Sequence, residues 1–115
     1  MTNAKFEFVP GDTKTIAPGR TLKRIRALVA IASAFVQVGD LGGYIEAESA
    51  LQTSGNAWVY GDAWVYGDAR VSGNARVSGN AQVYGNAQVY GDARVYGNAR
   101  VYGNAQVYGD ARVYG

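Results

Sequence analysis

The C-terminal part of this chain repeats every six residues. From residue 55 onward the frame is Gly, Asn or Asp, Ala, X, Val, Tyr or Ser. It runs ten times without an insertion to Tyr114, before a final Gly115. A strict internal period dictates architecture ahead of any other property, because each unit must meet its neighbours in the same way. Within a unit, Ala-X-Val-Tyr alternates, so Ala and Val share one side of a short strand. Gly-Asn or Gly-Asp then turns the chain. Gly is free at positive φ, and Asn and Asp tolerate the left-handed region best among the rest.

Two architectures suit the pattern. In a flat meander each Gly-Asn is a hairpin turn, and every Ala and Val lies on one uncovered face. In a solenoid, three units close a triangular coil of 18 residues, and Ala and Val from all three sides meet inside. Neighbouring coils then stack about 4.8 Å apart and satisfy each other's backbone groups. Only the solenoid buries the apolar side. Composition agrees: the chain is 48% hydrophobic, yet Ala, Val and Tyr dominate and large aliphatics are scarce. A conventional core needs side chains of several larger shapes.

The frame extends backwards in degraded form. Units 43–48 and 49–54 keep the alternation, which points Ile45, Ala47, Leu51 and Thr53 inward. Twelve units then make four coils, and the bulkier Ile45 and Leu51 fill the mouth. The expected organisation is a leader, 1–42, that caps the first coil, followed by the solenoid, 43–115.

Residues 18 apart stack in columns. One is Trp58, Arg76, Arg94, Arg112; the next position gives Tyr66, Tyr84, Tyr102 without a break. A further column runs Tyr60, Ser78, Tyr96, Tyr114. Aligned Tyr and amide groups stabilise stacked coils. They also form a candidate binding surface, with Trp58 and Trp64 as neighbours and taken as exposed, and with the Arg column beside Tyr. Like charges that close repel, and Asp92 and Asp110 at one corner are expected to offset this.

The leader differs in composition. It holds both prolines, all three Phe, and six Lys/Arg against Glu7, Asp12 and Asp40. Residues 6–9 and 13–16 read as short strands parted by Pro10-Gly11. Residues 20–35 fit either a helix or a strand. Arg20, Lys23, Arg24 and Arg26 form the only dense basic cluster, a solvated face or an anion contact. The net charge of +2 implies no strong global field.

The VYGNAR pattern resembles the hexapeptide repeat of left-handed parallel β-helix proteins. Val59, Val65 and Val71 match its aliphatic position; Ala63, Ala69 and Ala75 match its small position. The resemblance implies left-handed coiling and an all-β, single-stranded left-handed parallel β-helix. Residues 20–28, 39–46 and 55–60, in that order, resemble small hexapeptide-repeat proteins of phages and prophages; residues 29–38 depart from that pattern. This implies a phage-linked origin without a defined activity. Enzymes of the wider group rely on His, as general base in acyltransferases or as zinc ligands, and this chain has none.

With no Cys and no phosphate loop, neither thiolate metal sites nor nucleotide fingerprints arise. No catalytic residue, cofactor or metal is expected. Residues 2–9 lack the apolar run of a signal peptide, and the apolar stretch 27–36 is too short to span a bilayer. The expected role is a non-enzymatic interaction protein in the host cytoplasm or the virion. It would form a homo-oligomer or bind and inhibit a host protein, through Trp58, Trp64, Arg76, Arg94, Arg112, Tyr66, Tyr84 and Tyr102. The alternative is a nucleic-acid or polyanion binder using the Arg column and the basic leader; a third reading, from the resemblance, is a degenerate hexapeptide acyltransferase-like enzyme. The repeat is intact at Gly115, so either the chain continues or that edge meets another copy.

Overall fold

The computed structural model describes residues 5–53 and 55–115. Three longer strands come first: β1 (Phe6–Ala17), β2 (Arg20–Ala27) and β3 (Leu41–Ile45). Ten short strands follow, one per repeat unit: β4 (Trp58–Val59), β5 (Trp64–Val65), β6 (Arg70–Val71), β7 (Arg76–Val77), β8 (Gln82–Val83), β9 (Gln88–Val89), β10 (Arg94–Tyr96), β11 (Arg100–Val101), β12 (Gln106–Val107) and β13 (Arg112–Tyr114).

Each short strand pairs in parallel with the strand 18 residues on. This produces three faces: β4-β7-β10-β13, β5-β8-β11 and β6-β9-β12. The result is a triangular β-solenoid of about four turns. Its interior is a narrow column of identical side chains. Val59, Val65, Val71, Val77, Val83, Val89 and Val95 are wholly buried, with Ala57, Ala63, Ala75, Ala81, Ala87 and Ala93 between them. Three sides this close together leave room for Ala and Val and for little more, which is why the large aliphatics are missing from the repeat.

The corners work differently from the sequence expectation. In Tyr60-Gly61-Asp62-Ala63 the Ala63 N–H donates to the Tyr60 carbonyl at 3.2 Å, closing a tight turn. Only the Gly of each pair takes positive φ; the Asn or Asp beside it does not. The Asn and Asp side chains instead link coil to coil. Asn56 Nδ2 donates to Asn74 Oδ1 at 3.0 Å, and Asn74 Nδ2 donates to Asp92 Oδ1 at 3.1 Å.

The first coil departs from the strict frame. Ile45 pairs with Val65 and Leu51 bridges to Val71, a step of 20 residues instead of 18. Both occupy Val-type positions and are buried, so they do fill the mouth. Ala47 and Thr53, expected inside, are exposed. The two extra residues fall between Leu51 and Val59, where the degraded units had been counted without interruption; Ser54 lies outside the described residues.

The leader closes the uncovered side of that coil. β1 is one strand with a bulge between Phe8 and Thr13, where two strands were expected, and it pairs antiparallel with β2. The ambiguous stretch resolves as a strand to Ala27, followed by a loop with a 3-10 turn at Ala32–Ala34. β2 pairs antiparallel with β3, and β3 joins β5 in parallel, so the hairpin extends one solenoid face. Phe6, Leu22, Ile25 and Ala27 add the apolar volume that the repeat lacks.

Two expectations test this arrangement. Gly91 and Gly61 have φ near +69° and +60°, a region costing about 1–2 kcal/mol for an L-residue. A Cβ on Gly91 would stand 2.8 Å from the Gly109 nitrogen, whereas one on Gly61 meets nothing nearer than 3.5 Å. In urea titrations Gly91→Ala should therefore destabilise clearly more than Gly61→Ala; equal losses would contradict the stacked corners. The second concerns Lys5, whose Nζ donates to the Gln52 carbonyl at 2.8 Å and whose burial lowers its pKa from 10.5 to about 8. Between those values the unfolded chain holds a proton that the folded one has lost, so stability rises with pH across that window. The melting temperature should climb from about pH 8 to about pH 10, and Lys5→Met should flatten the climb.

Candidate interaction surface

The outward positions of the repeat form columns because parallel in-register pairing superposes every third six-residue unit. Arg76, Arg94 and Arg112 pair in register on β7, β10 and β13. Trp58 sits in the same column on β4. It is 1% exposed, which corrects the expectation of an open Trp pair. The leader covers it: Phe6 packs edge-on against its ring at 6.5 Å. Trp64 is half-buried and packs edge-on against Tyr66 at 6.4 Å. The two Trp residues thus serve the join between cap and solenoid rather than presenting one joint surface.

The tyrosines behave as the columns require. Tyr66, Tyr84 and Tyr102 stack at 5.0 and 5.3 Å with planes within about 10° of parallel. Arg20 lies 5.8 Å over Tyr66 and closes the stack at the capped end. Burial, helped by Tyr84, raises the Tyr66 pKa against the pull of Arg20 and Arg100. Tyr90 stacks on Tyr108 at 5.3 Å, and Tyr96 on Tyr114 at 5.2 Å. Tyr102, Tyr108 and Tyr114 are more than half exposed.

The basic cluster of the leader is paired rather than free. Arg24 Nε contacts Asp12 Oδ2 at 2.8 Å, and its Nη2 reaches Asp62 at 3.3 Å and donates to the Tyr44 hydroxyl at 2.8 Å. Its Nη1 donates to the Gly42 carbonyl. Burial disfavours the Arg24 charge, but Tyr44, Asp12 and Asp62 together outweigh it and raise its pKa. Tyr44 in turn donates to Asp12 at 2.8 Å. Arg20 pairs with Glu46, Arg26 with Glu7, and Lys23 lies 5.1 Å over the Phe8 ring. The contacts to Glu46 and Asp62 hold hairpin to coil and the others brace the hairpin, roles that sequence spacing could not reveal because the carboxylates are 12 to 38 positions away.

In the Arg column, Arg94 and Arg112 are exposed and Arg76 is half-buried. Among the described residues, Asp92 and Asp110 make no salt bridge to Arg94 or Arg112; they face Arg76 and Arg94 across a shallow hollow beside the corner. On the other side of the column lies a wider groove of about 540 Å³, which includes Phe35, Ser78 and Tyr96. Phe35 is 86% exposed, and among the described residues it is the only non-glycine at positive φ. Nothing in the sequence marked Phe35; the Ser that interrupts the Tyr column at position 78 was the available signal. No group of three or more metal-ligating side chains occurs among the described residues. No helix among them is long and apolar enough to cross a membrane.

Stacked parallel coils with ladders on three flat faces define a β-solenoid repeat protein. The family profile described as YdcK Beta solenoid repeat matches residues 51–67, 69–85, 81–93, 87–103, 93–107 and 105–115, and the chain belongs to that family. No curated protein matches the chain.

The Arg24 network yields a direct test. Arg24→Ala should destabilise the chain by about 2–3 kcal/mol, the usual scale for charged hydrogen bonds left without a partner. Arg24→Lys should recover little, because one ammonium cannot reach Asp12, Asp62 and Tyr44 together. Chemical denaturation of the three proteins reads this out, and a wild-type-like Arg24→Ala would refute the pairing.

Proposed function

We propose that this chain is a non-enzymatic interaction protein, a rigid β-solenoid whose Tyr and Arg ladders contact a protein partner, itself included. The observation that carries the reading is the parallel Tyr66–Tyr84–Tyr102 stack, flat, in register and increasingly exposed away from the cap. Tyr presents large contact area at low entropic cost, because few torsions must be frozen. Here even those are restrained by neighbouring rings. The lack of any His supports a role without acid–base chemistry. Resemblance to small phage and prophage repeat proteins supports a partner met in the host cytoplasm or the virion, either another copy or a host protein that the contact inhibits.

Binding to nucleic acid or another polyanion is the weaker reading, because Arg20, Arg24 and Arg26 are occupied within the chain. Arg94 and Arg112 are exposed, and two phosphate contacts correspond to a salt slope of roughly −2. Sedimentation across protein concentration and salt separates the two. We expect self-association, or capture of a host protein, that is lost in Tyr102→Ala and depends on salt far less steeply than polyanion binding does. A monomer with no captured protein would refute the proposal. A steep salt slope with DNA or heparin would favour the polyanion reading.

A further inference from the structure

The ladder that contains Ser78 lacks one ring. Val59, Val77 and Val95 are successive in register, so Tyr60, Ser78 and Tyr96 occupy three consecutive rungs. The backbones of Tyr60 and Tyr96 are then about 10 Å apart, two strand spacings, and the rung between them carries only a hydroxymethyl group. Intact ladders in this protein place rings 5.0 to 5.3 Å apart, so the vacancy is one ring thick. The loop after β2 rests on Tyr60, whose hydroxyl donates to the Ala34 carbonyl at 2.9 Å. If Ser78 merely made room for that loop, the loop would fill the space. Instead the space opens as the groove of about 540 Å³, within the size range of ligand-binding clefts.

We propose that this slot receives an aromatic side chain of a protein partner, inserted between Tyr60 and Tyr96 and flanked in the partner by carboxylates that meet Arg94 and Arg112. The proposal deepens the reading of the chain as an interaction protein and rests on it. Charge complementarity comes from the guanidinium column along the groove wall. The field of Arg76 and Arg94 reaches the slot, since it opposes the burial that raises the Tyr60 pKa. At the rim, Phe35 projects into solvent from a left-handed backbone, a conformation disfavoured for a bulky residue, which keeps its ring off the protein surface. A small molecule in the slot would leave Phe35 uncovered, whereas a protein segment covers it.

A nucleic-acid strand fits less well. Strands bind by stacking successive bases on successive platforms, and here one slot exists while the Tyr66 and Tyr90 ladders are closed ring on ring. Asp92 and Asp110, in the hollow on the opposite side of the Arg column, would also repel a phosphate chain.

The test titrates the full chain by calorimetry with a short acidic peptide carrying a central Trp. The comparison ligands are the same peptide with Ala for Trp, a basic version, and a single-stranded oligothymidylate. The acidic Trp peptide should bind at least about tenfold more tightly than the other three, the scale of one aromatic stack plus a charge contact. Ser78→Tyr supplies the missing ring, so it should abolish binding while leaving the melting temperature unchanged or higher. Arg94→Gln, on an exposed side chain, should weaken both acidic peptides and not the basic one; it decides the matter where Ser78→Tyr lowers stability. Ser78→Tyr should leave the Tyr102-dependent association intact, which separates failure of the slot from failure of the broader reading. Undiminished binding by folded Ser78→Tyr, an unaffected Arg94→Gln, tighter oligothymidylate binding, or no binding of the acidic Trp peptide would each overturn the proposal.

Discussion

The coil-to-coil backbone ladder is the interaction on which everything else depends. Strands of two or three residues have no independent stability. Each one here persists because its N–H groups donate to the coil above, as Trp58 does to Ala75 and Tyr60 to Val77. From residue 55 onward that ladder repeats without a break because every coil has the same length and the same corners. Corner glycines therefore superpose so closely that a Cβ on most of them would press on the backbone of the next coil. The same superposition turns a six-residue period into columns, so Tyr stacking, Asn links and the Arg row are consequences of backbone register.

A ladder of this kind leaves an edge unpaired, and unpaired edges recruit other strands unless covered. The leader covers the edge of the first coil with the β1–β2 hairpin and with β3, which belongs to both parts. The join demands departures from the repeat. Two extra residues between Leu51 and Val59, larger buried side chains at Ile45 and Leu51, and a Trp beneath Phe6 all occur within this region. Arg20 and Arg24 reach Glu46 and Asp62 across the same join while Arg26 and Lys23 brace the hairpin, so the charge cluster that suggested anion binding is occupied within the chain.

The site was partly legible in advance. The columns of Arg76, Arg94 and Arg112 and of Tyr66, Tyr84 and Tyr102 follow from counting in eighteens, and they stand where the counting put them. Trp58 and Trp64 were misjudged because counting along the repeat treats every X position as outward and open. It carries no information on what the leader lays over the first coil. Ser78 was visible as an interruption, yet whether its space is filled or vacant depends on the path of the loop through Ala34 and Phe35.

By itself, then, the sequence determined the solenoid, its inward Ala and Val and its outward columns, because a strict period admits one way of burying its apolar side. The tertiary structure decided the first coil, the pairing of Arg24 with Asp12 and Asp62, the burial of Trp58 and the open slot at Ser78. Those features arise where a non-repeating segment folds back on a repeating one. Their contacts join residues tens of positions apart, which no local period encodes.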